Sequence, residues 1–297
     1  MNLGFSAEFA EALAESGRVQ MGRCWVLPYR PERFRAVAEH WLAAAPNLRV
    51  RWNTSVASVE RAGDRVVRAN GWRVGAVIDC TGTAEVARAL GIHCLETTVQ
   101  TQSSAIVFPL CDVTRDLSTP AAAVRVHLQL ARFGLPPLTF QANLDPGSVT
   151  VKLTGSAEQA NAVIDFLKNN VKGFEHCWTP VTEFAAAHRA GRMVPGQYLL
   201  TGEDVLAGRK FPDAVARCAW PIEQWDERGV ARFRYLAAGD YYEIPEKALS
   251  AASAKNLFMA GKTISADADA IASARVMGTC LATGEAAGRL AAKSLSG

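Results

Sequence analysis

Apolar and polar positions along the chain change period several times, and each change marks an element. From Pro31 to about Ala45 the apolar residues Phe34, Val37, Ala38, Trp41 and Leu42 recur at i, i+3, i+4, i+7 and i+8, with proline at the first turn. That spacing predicts an amphipathic helix. Residues 48–60 then alternate through Val50, Trp52, Thr54 and Val56, and the chain turns at Ala62-Gly63-Asp64, runs from Arg65 to Ala69 and turns again at Asn70-Gly71. A period of two broken by glycine turns predicts a three-stranded meander. Next comes Ala76-Val77-Ile78-Asp79-Cys80-Thr81-Gly82, an apolar run ending in small residues, followed by a helical stretch from Ala84 to Leu90 closed by Gly91. A buried parallel strand with a tight exit fits that order.

Residues 99–111 and 137–154 are rich in Val, Thr, Phe and Leu, whereas 119–133 and 157–172 carry a helical period. The middle of the chain is therefore expected to be a separate α+β domain. Asn256 to Gly261 repeats the earlier pattern, a short apolar run ending in glycine, and 278–294 is an alanine-rich helix with Gly284 and Gly288 on one side. Small residues there permit close backbone approach.

Composition narrows the function classes. The 297 residues are 49% hydrophobic and 21% charged, which suits a globular protein of two domains. The net charge of +3 is spread along the chain, so neither nucleic acid nor membrane is expected as a partner. With no basic start leading into an apolar run and no membrane-length apolar stretch, a cytoplasmic protein is expected. Seven cysteines form no CxxC and five histidines no i, i+3 or i+4 group, which argues against a disulfide framework and against a metal site. G-x-S-x-G is absent, so a hydrolase has little support.

Several segments in order resemble FAD-dependent oxidoreductases with a glutathione-reductase-like fold. Val77 to Gly82 resembles the family's "ATG" segment, and Asn256 to Gly261 with Lys262-Thr263-Ile264-Ser265 resembles its second cofactor strand. Arg275 to Gly288 is similar to its flavin-facing C-terminal helix. Gly196 to Pro212 and Tyr241 to Pro245 resemble the same subgroup. The resemblance implies an α/β fold, a partial Rossmann-like FAD/NAD(P)-binding domain with an inserted α+β substrate domain: 1–98 and 245–297 for the cofactor, 99–244 for the substrate. It implies FAD as cofactor, held by Val56 (at the adenine), Cys80, Thr81, Gly82, Gly261, Lys262, Ile264, Ser265, Met277, Gly278 and Thr279, and hydride passing from a small organic substrate to flavin. Tyr242 and Arg275 are candidate substrate contacts; no catalytic acid is assigned.

Each candidate has a plainer reading. Tyr242 and Glu243 fit packing beside a strand. Arg275, ahead of a helix start, calls for an anionic partner, which is either substrate or flavin, or else Asp267 or Asp269. Cys80 reads as a buried structural thiol, and His188 as a surface or capping residue. Ala268 stands where relatives often carry histidine, which puts a histidine-dependent proton step in doubt.

The family's opening G-x-G-x-x-G turn, which cradles the cofactor's pyrophosphate, is absent from this sequence. Gly17 and Gly22 have phosphate-loop spacing, but Arg23-Cys24 follows in place of Lys-Ser or Lys-Thr. The chain is accordingly expected to start downstream of that turn and to bind FAD weakly or not at all unless the unit is supplied. Three explanations stand open: a second chain supplies it, the reading frame starts upstream, or flavin chemistry has been given up. The last would leave a non-catalytic binding or scaffold protein.

Overall fold

The computed structural model describes residues 2–21, 23–97, 105–117, 120–187, 191–225 and 231–296. They form two compact units. The first holds 1–98, 191–224 and 232–297; the second holds 99–190 and 225–231. The sequence reading carries the middle segment to residue 244, whereas by packing 191–224 and 232–244 lie with the first unit.

In the first unit, α1 (Phe5–Leu13) and α2 (Pro31–Ala44) pack by their aromatic residues: Phe9 meets Phe34 and Trp41 edge-on at 5.3 and 5.4 Å. Between them, Val19–Met21 pairs antiparallel with Cys24–Val26. The interval between Gly17 and Gly22 is thus a hairpin strand and not a phosphate loop. The meander follows as β1 (Val59–Ala62), β2 (Arg65–Ala69) and β3 (Trp72–Arg73). Its first strand is shorter than expected. Residues 48–58 are irregular and Leu48, Val50 and Trp52 are exposed, because alternation makes a strand only where a neighbour supplies the ladder.

The next apolar run is β4 (Val77–Asp79), followed by α3 (Glu85–Ala89) and β5 (Leu95–Thr97). After the second unit the chain returns as β6 (Gly191–Met193), antiparallel to β5, and later as β7 (Leu257–Met259), parallel to β4. Asn256 staples β7 to the meander, its buried side chain accepting from Val66 N (2.7 Å) and donating to Val66 O and Gly75 O. The unit closes with α4 (Ala268–Ala274) and α5 (Met277–Lys293), which share a core with Leu257, Met259, Ile264 and Ile244.

The second unit is a four-stranded antiparallel sheet in the order 186–187, 105–110, 149–153, 138–142, with helices Pro120–Arg132 and Ala157–Asn170. The alternating burial of Val149, Val151 and Leu153 turns one sheet face to a core with Val163, Leu167 and Phe174. Ser156 and Gln159 cap the second helix reciprocally.

Candidate functional site

The parallel register of β4 and β7 sets Asp79 opposite Met259, so the chain leaves both strands at the same end. Both exits turn through glycine with positive φ, +73° at Gly82 and +67° at Gly261, a torsion other residues adopt only under strain. They are tied together: Thr263 Oγ1 donates to the Asp79 carbonyl at 2.6 Å. A Cβ on Gly82 would lie 2.7 Å from Lys262 Cε, which brings Cys80-Thr81-Gly82 against Gly261-Lys262. The return strand closes one side, with Arg192 N donating to Gly82 O at 3.0 Å. Gly191 is packed so tightly that a Cβ there would sit 2.5 Å from that same oxygen.

Asp79 organises this end, a role the sequence reading missed. Its fully buried carboxylate accepts from Thr81 N (3.1 Å) and Thr81 Oγ1 (2.7 Å) on one oxygen, and from Val86 N (3.1 Å) and Ala87 N (3.3 Å) on the other. The turn and the first turn of α3 are therefore shaped by one side chain. The available signal was an acidic residue closing an apolar run two positions before a threonine and just ahead of a helix.

Helix α5 covers the exits. Thr283 Oγ1 accepts from Gly261 N at 3.2 Å, and Cys280 Sγ lies 3.7 Å from where a Gly261 Cβ would be. Burial pushes the Cys280 thiol up to about 11, with Cys218 adding to the rise, against the opposing pull of Arg275 and Lys262. Cys80 reaches the surface and is not the buried thiol expected; crowding around its sulfur, then Asp79, still holds its pKa above the usual range. At the head of α5, Thr279 N and Cys280 N bond to Val276 O. That leaves the amides of Met277 and Gly278 as first-turn donors without a helical acceptor. Both residues are exposed, and the space where a Gly278 Cβ would stand is open. Thr279 is buried.

Other candidates lie elsewhere. Ile264 and Ser265 are buried, and Ser265 N donates to Ala248 O while its carbonyl accepts from Leu200 N. Tyr242 is fully enclosed; its hydroxyl donates to Ser273 Oγ at 2.9 Å, and burial raises its pKa well above 10. Glu243 accepts from Phe211 N at 2.9 Å, so this pair has the environment of packing residues. Val56 is half-buried beside the meander, where Ala57 N and Ser58 N donate to Asn70 Oδ1. Arg275 stands between two helices: it is the C-cap of α4, where the carbonyl end favours a cation, as well as the residue before the N-cap of α5. The demand for an anion inferred from α5 alone is therefore reduced. Asp267 caps α4 and accepts from Gly202 N, while Asp269 pairs with Arg234 and Gln224. His188 lies outside the described residues.

Among the described residues no group of His, Cys, Asp or Glu is placed to hold a metal ion, and no helix is long and apolar enough to cross a membrane. The FAD dependent oxidoreductase family matches residues 1–139 and again 123–297, and the chain belongs to that family. No curated protein and no solved structure matches it.

Proposed function

We propose that the exits of β4 and β7, together with the head of α5, form the flavin-facing cleft of an oxidoreductase that takes hydride from a small organic substrate. The observation that carries this reading is the convergence of Cys80–Gly82 with Gly261–Lys262, tied by the Thr263–Asp79 bond and roofed by Thr283. When bound, FAD supplies the hydride acceptor, and the protein supplies orientation and electrostatics.

The residues divide by what they offer. Met277 and Gly278 present amides and the positive end of a 17-residue helix to the electron-rich edge of a reduced flavin. Thr279 fixes that turn. Gly261 admits the cofactor's chain where a Cβ would obstruct it, Thr81 and Gly82 line the facing side, and Lys262 brings a cation toward the phosphates. Ile264 and Ser265, both buried, support the wall. Cys80 contributes surface and not a thiolate. Val56 is assigned to the adenine end on resemblance alone. Arg275, at the α4–α5 junction, is assigned to an anionic group of the substrate. Tyr242 is assigned to packing.

The fit to FAD is partial. Two open amides and one lysine are few donors for a pyrophosphate, whose two charges are ordinarily met by a glycine-rich loop at a helix start. FAD is therefore held weakly by residues 1–297 alone, and the glycine-rich strand-helix unit is supplied from outside them, by a second chain or by sequence upstream. Its seat is the open edge of β4, which among the described residues has β7 as its sole neighbour. The absence of G-x-G-x-x-G also favours a second reading, a non-catalytic scaffold that keeps the fold.

A visible spectrum after desalting from excess FAD separates the two. A faint flavin band for the isolated chain, lost in Gly278→Val and strengthened in a co-purified complex, supports the enzyme. Complete lack of uptake in both preparations leaves the scaffold.

A further inference from the structure

We propose that an open surface depression of about 600 Å³ at the C-terminal end of α3, lined by Arg88, Ile92, His93, Leu95, Glu96 and Arg192, binds a small organic carboxylate. Its volume lies within the usual range for small-molecule sites. Its walls follow from how α3 ends. Gly91 takes φ +74°, Gly91 N donates to Arg88 O at 2.9 Å, and Ile92 N donates to Ala87 O at 3.0 Å, the double closure of a left-handed helix cap. The carbonyls of Val86, Ala87 and Arg88 are thereby engaged by amides of the cap, and the end of α3 forms part of the rim. Ile92 then packs on the core, and the chain continues past His93 into β5.

The charges are unequal. Arg192 and Glu96 are direct partners on the β5–β6 ladder and bond at 2.6 Å, so one cation and the one carboxylate of the wall answer each other. The exposed side chains of Arg88 and His93 make no hydrogen bond or ion pair among the described residues. Arg88 and Arg192 both line this space, and the Cys94 thiol beside them feels the buried Asp79 carboxylate as well as both guanidinium groups. One uncommitted guanidinium fork with an imidazole beside it matches a single carboxylate, and Ile92 with the half-exposed Leu95 offers apolar surface for the body of the acid. The depression meets the cleft through β6, since the strand that carries the Arg192 side chain also binds Gly82 O through its backbone. The assignment does not rest on flavin.

The test is isothermal titration of the FAD-free full chain with benzoate, acetate and inorganic phosphate at low and high salt. Benzoate is expected to saturate at one site, and Arg88→Gln to weaken it about tenfold or more, as loss of a charge-assisted bond does. Arg61→Gln, an exposed arginine on the meander, should leave it unchanged. Thermal melts of both variants check the fold. No saturable benzoate binding, equal loss in Arg61→Gln, an unaffected Arg88→Gln, or phosphate binding more tightly than benzoate would each overturn the proposal.

Discussion

Removing the Asp79 carboxylate is the perturbation that most directly tests how the cleft is built. In Asp79→Ala the buried amides of Val86 and Ala87 lose their acceptor, and Thr81 loses two bonds. Buried donors left unpaired cost about 1–3 kcal/mol each, while Thr81 is exposed and recovers most of its loss from water. The expected destabilisation is therefore about 3 kcal/mol, set by the two amides. Asp79→Asn keeps one acceptor oxygen. Aimed at the helix, it preserves both amide bonds and turns its NH₂ on the Thr81 side, for a loss of about 1–2 kcal/mol. Urea unfolding followed by circular dichroism measures both variants. A loss under 1 kcal/mol in Asp79→Ala, or an Asn variant worse than the Ala variant, would refute the argument that this side chain holds the turn.

Other outcomes follow from the same geometry. Gly82→Ala should cost about 1–2 kcal/mol from its positive φ, because the Lys262 contact is with a flexible chain that can move aside; Gly82→Asn should recover part of the loss in the same urea assay. With a pKa of about 11 against an ordinary 9.0, Cys280 should alkylate about a hundredfold more slowly than a free thiol at neutral pH, as read by mass mapping of iodoacetamide adducts. Asp204 is desolvated, which raises its pKa, but bonds from Arg209, Thr201 and Tyr198 outweigh this and lower it below 3.8. A depressed carboxylate stabilises the fold above its unfolded value and ceases to do so as pH falls through the folded one. Asp204→Asn should accordingly flatten the acid limb below about pH 4 in a stability-against-pH series.

How far the sequence foretold this structure depends on the kind of information each feature needs. The helix at Pro31 and the runs ending at Gly82 and Gly261 were legible because local period and punctuation suffice. The strand expected around Val50 was not formed, since pairing is a property of two segments. Arg275 was read against α5 alone; α4, built on alanines, has too faint an apolar stripe to announce itself, so the favourable carbonyl end before Arg275 went unseen. Tyr242 illustrates a further limit: read as lying beside a strand, it opens a strand of its own, 242–245, and nothing local reveals that its side chain is enclosed against Ser273. The four donors gathered by Asp79 lie within eight residues of it, but they become neighbours only after the turn has folded.

Gly191 carries a constraint of a different kind from its positive-φ counterparts. Its torsion is ordinary; what forbids a side chain is the carbonyl of Gly82, an atom that cannot swing away as a lysine can. A saturation library at this codon would return a single tolerated letter, whereas the codon for Gly82 would still accept asparagine.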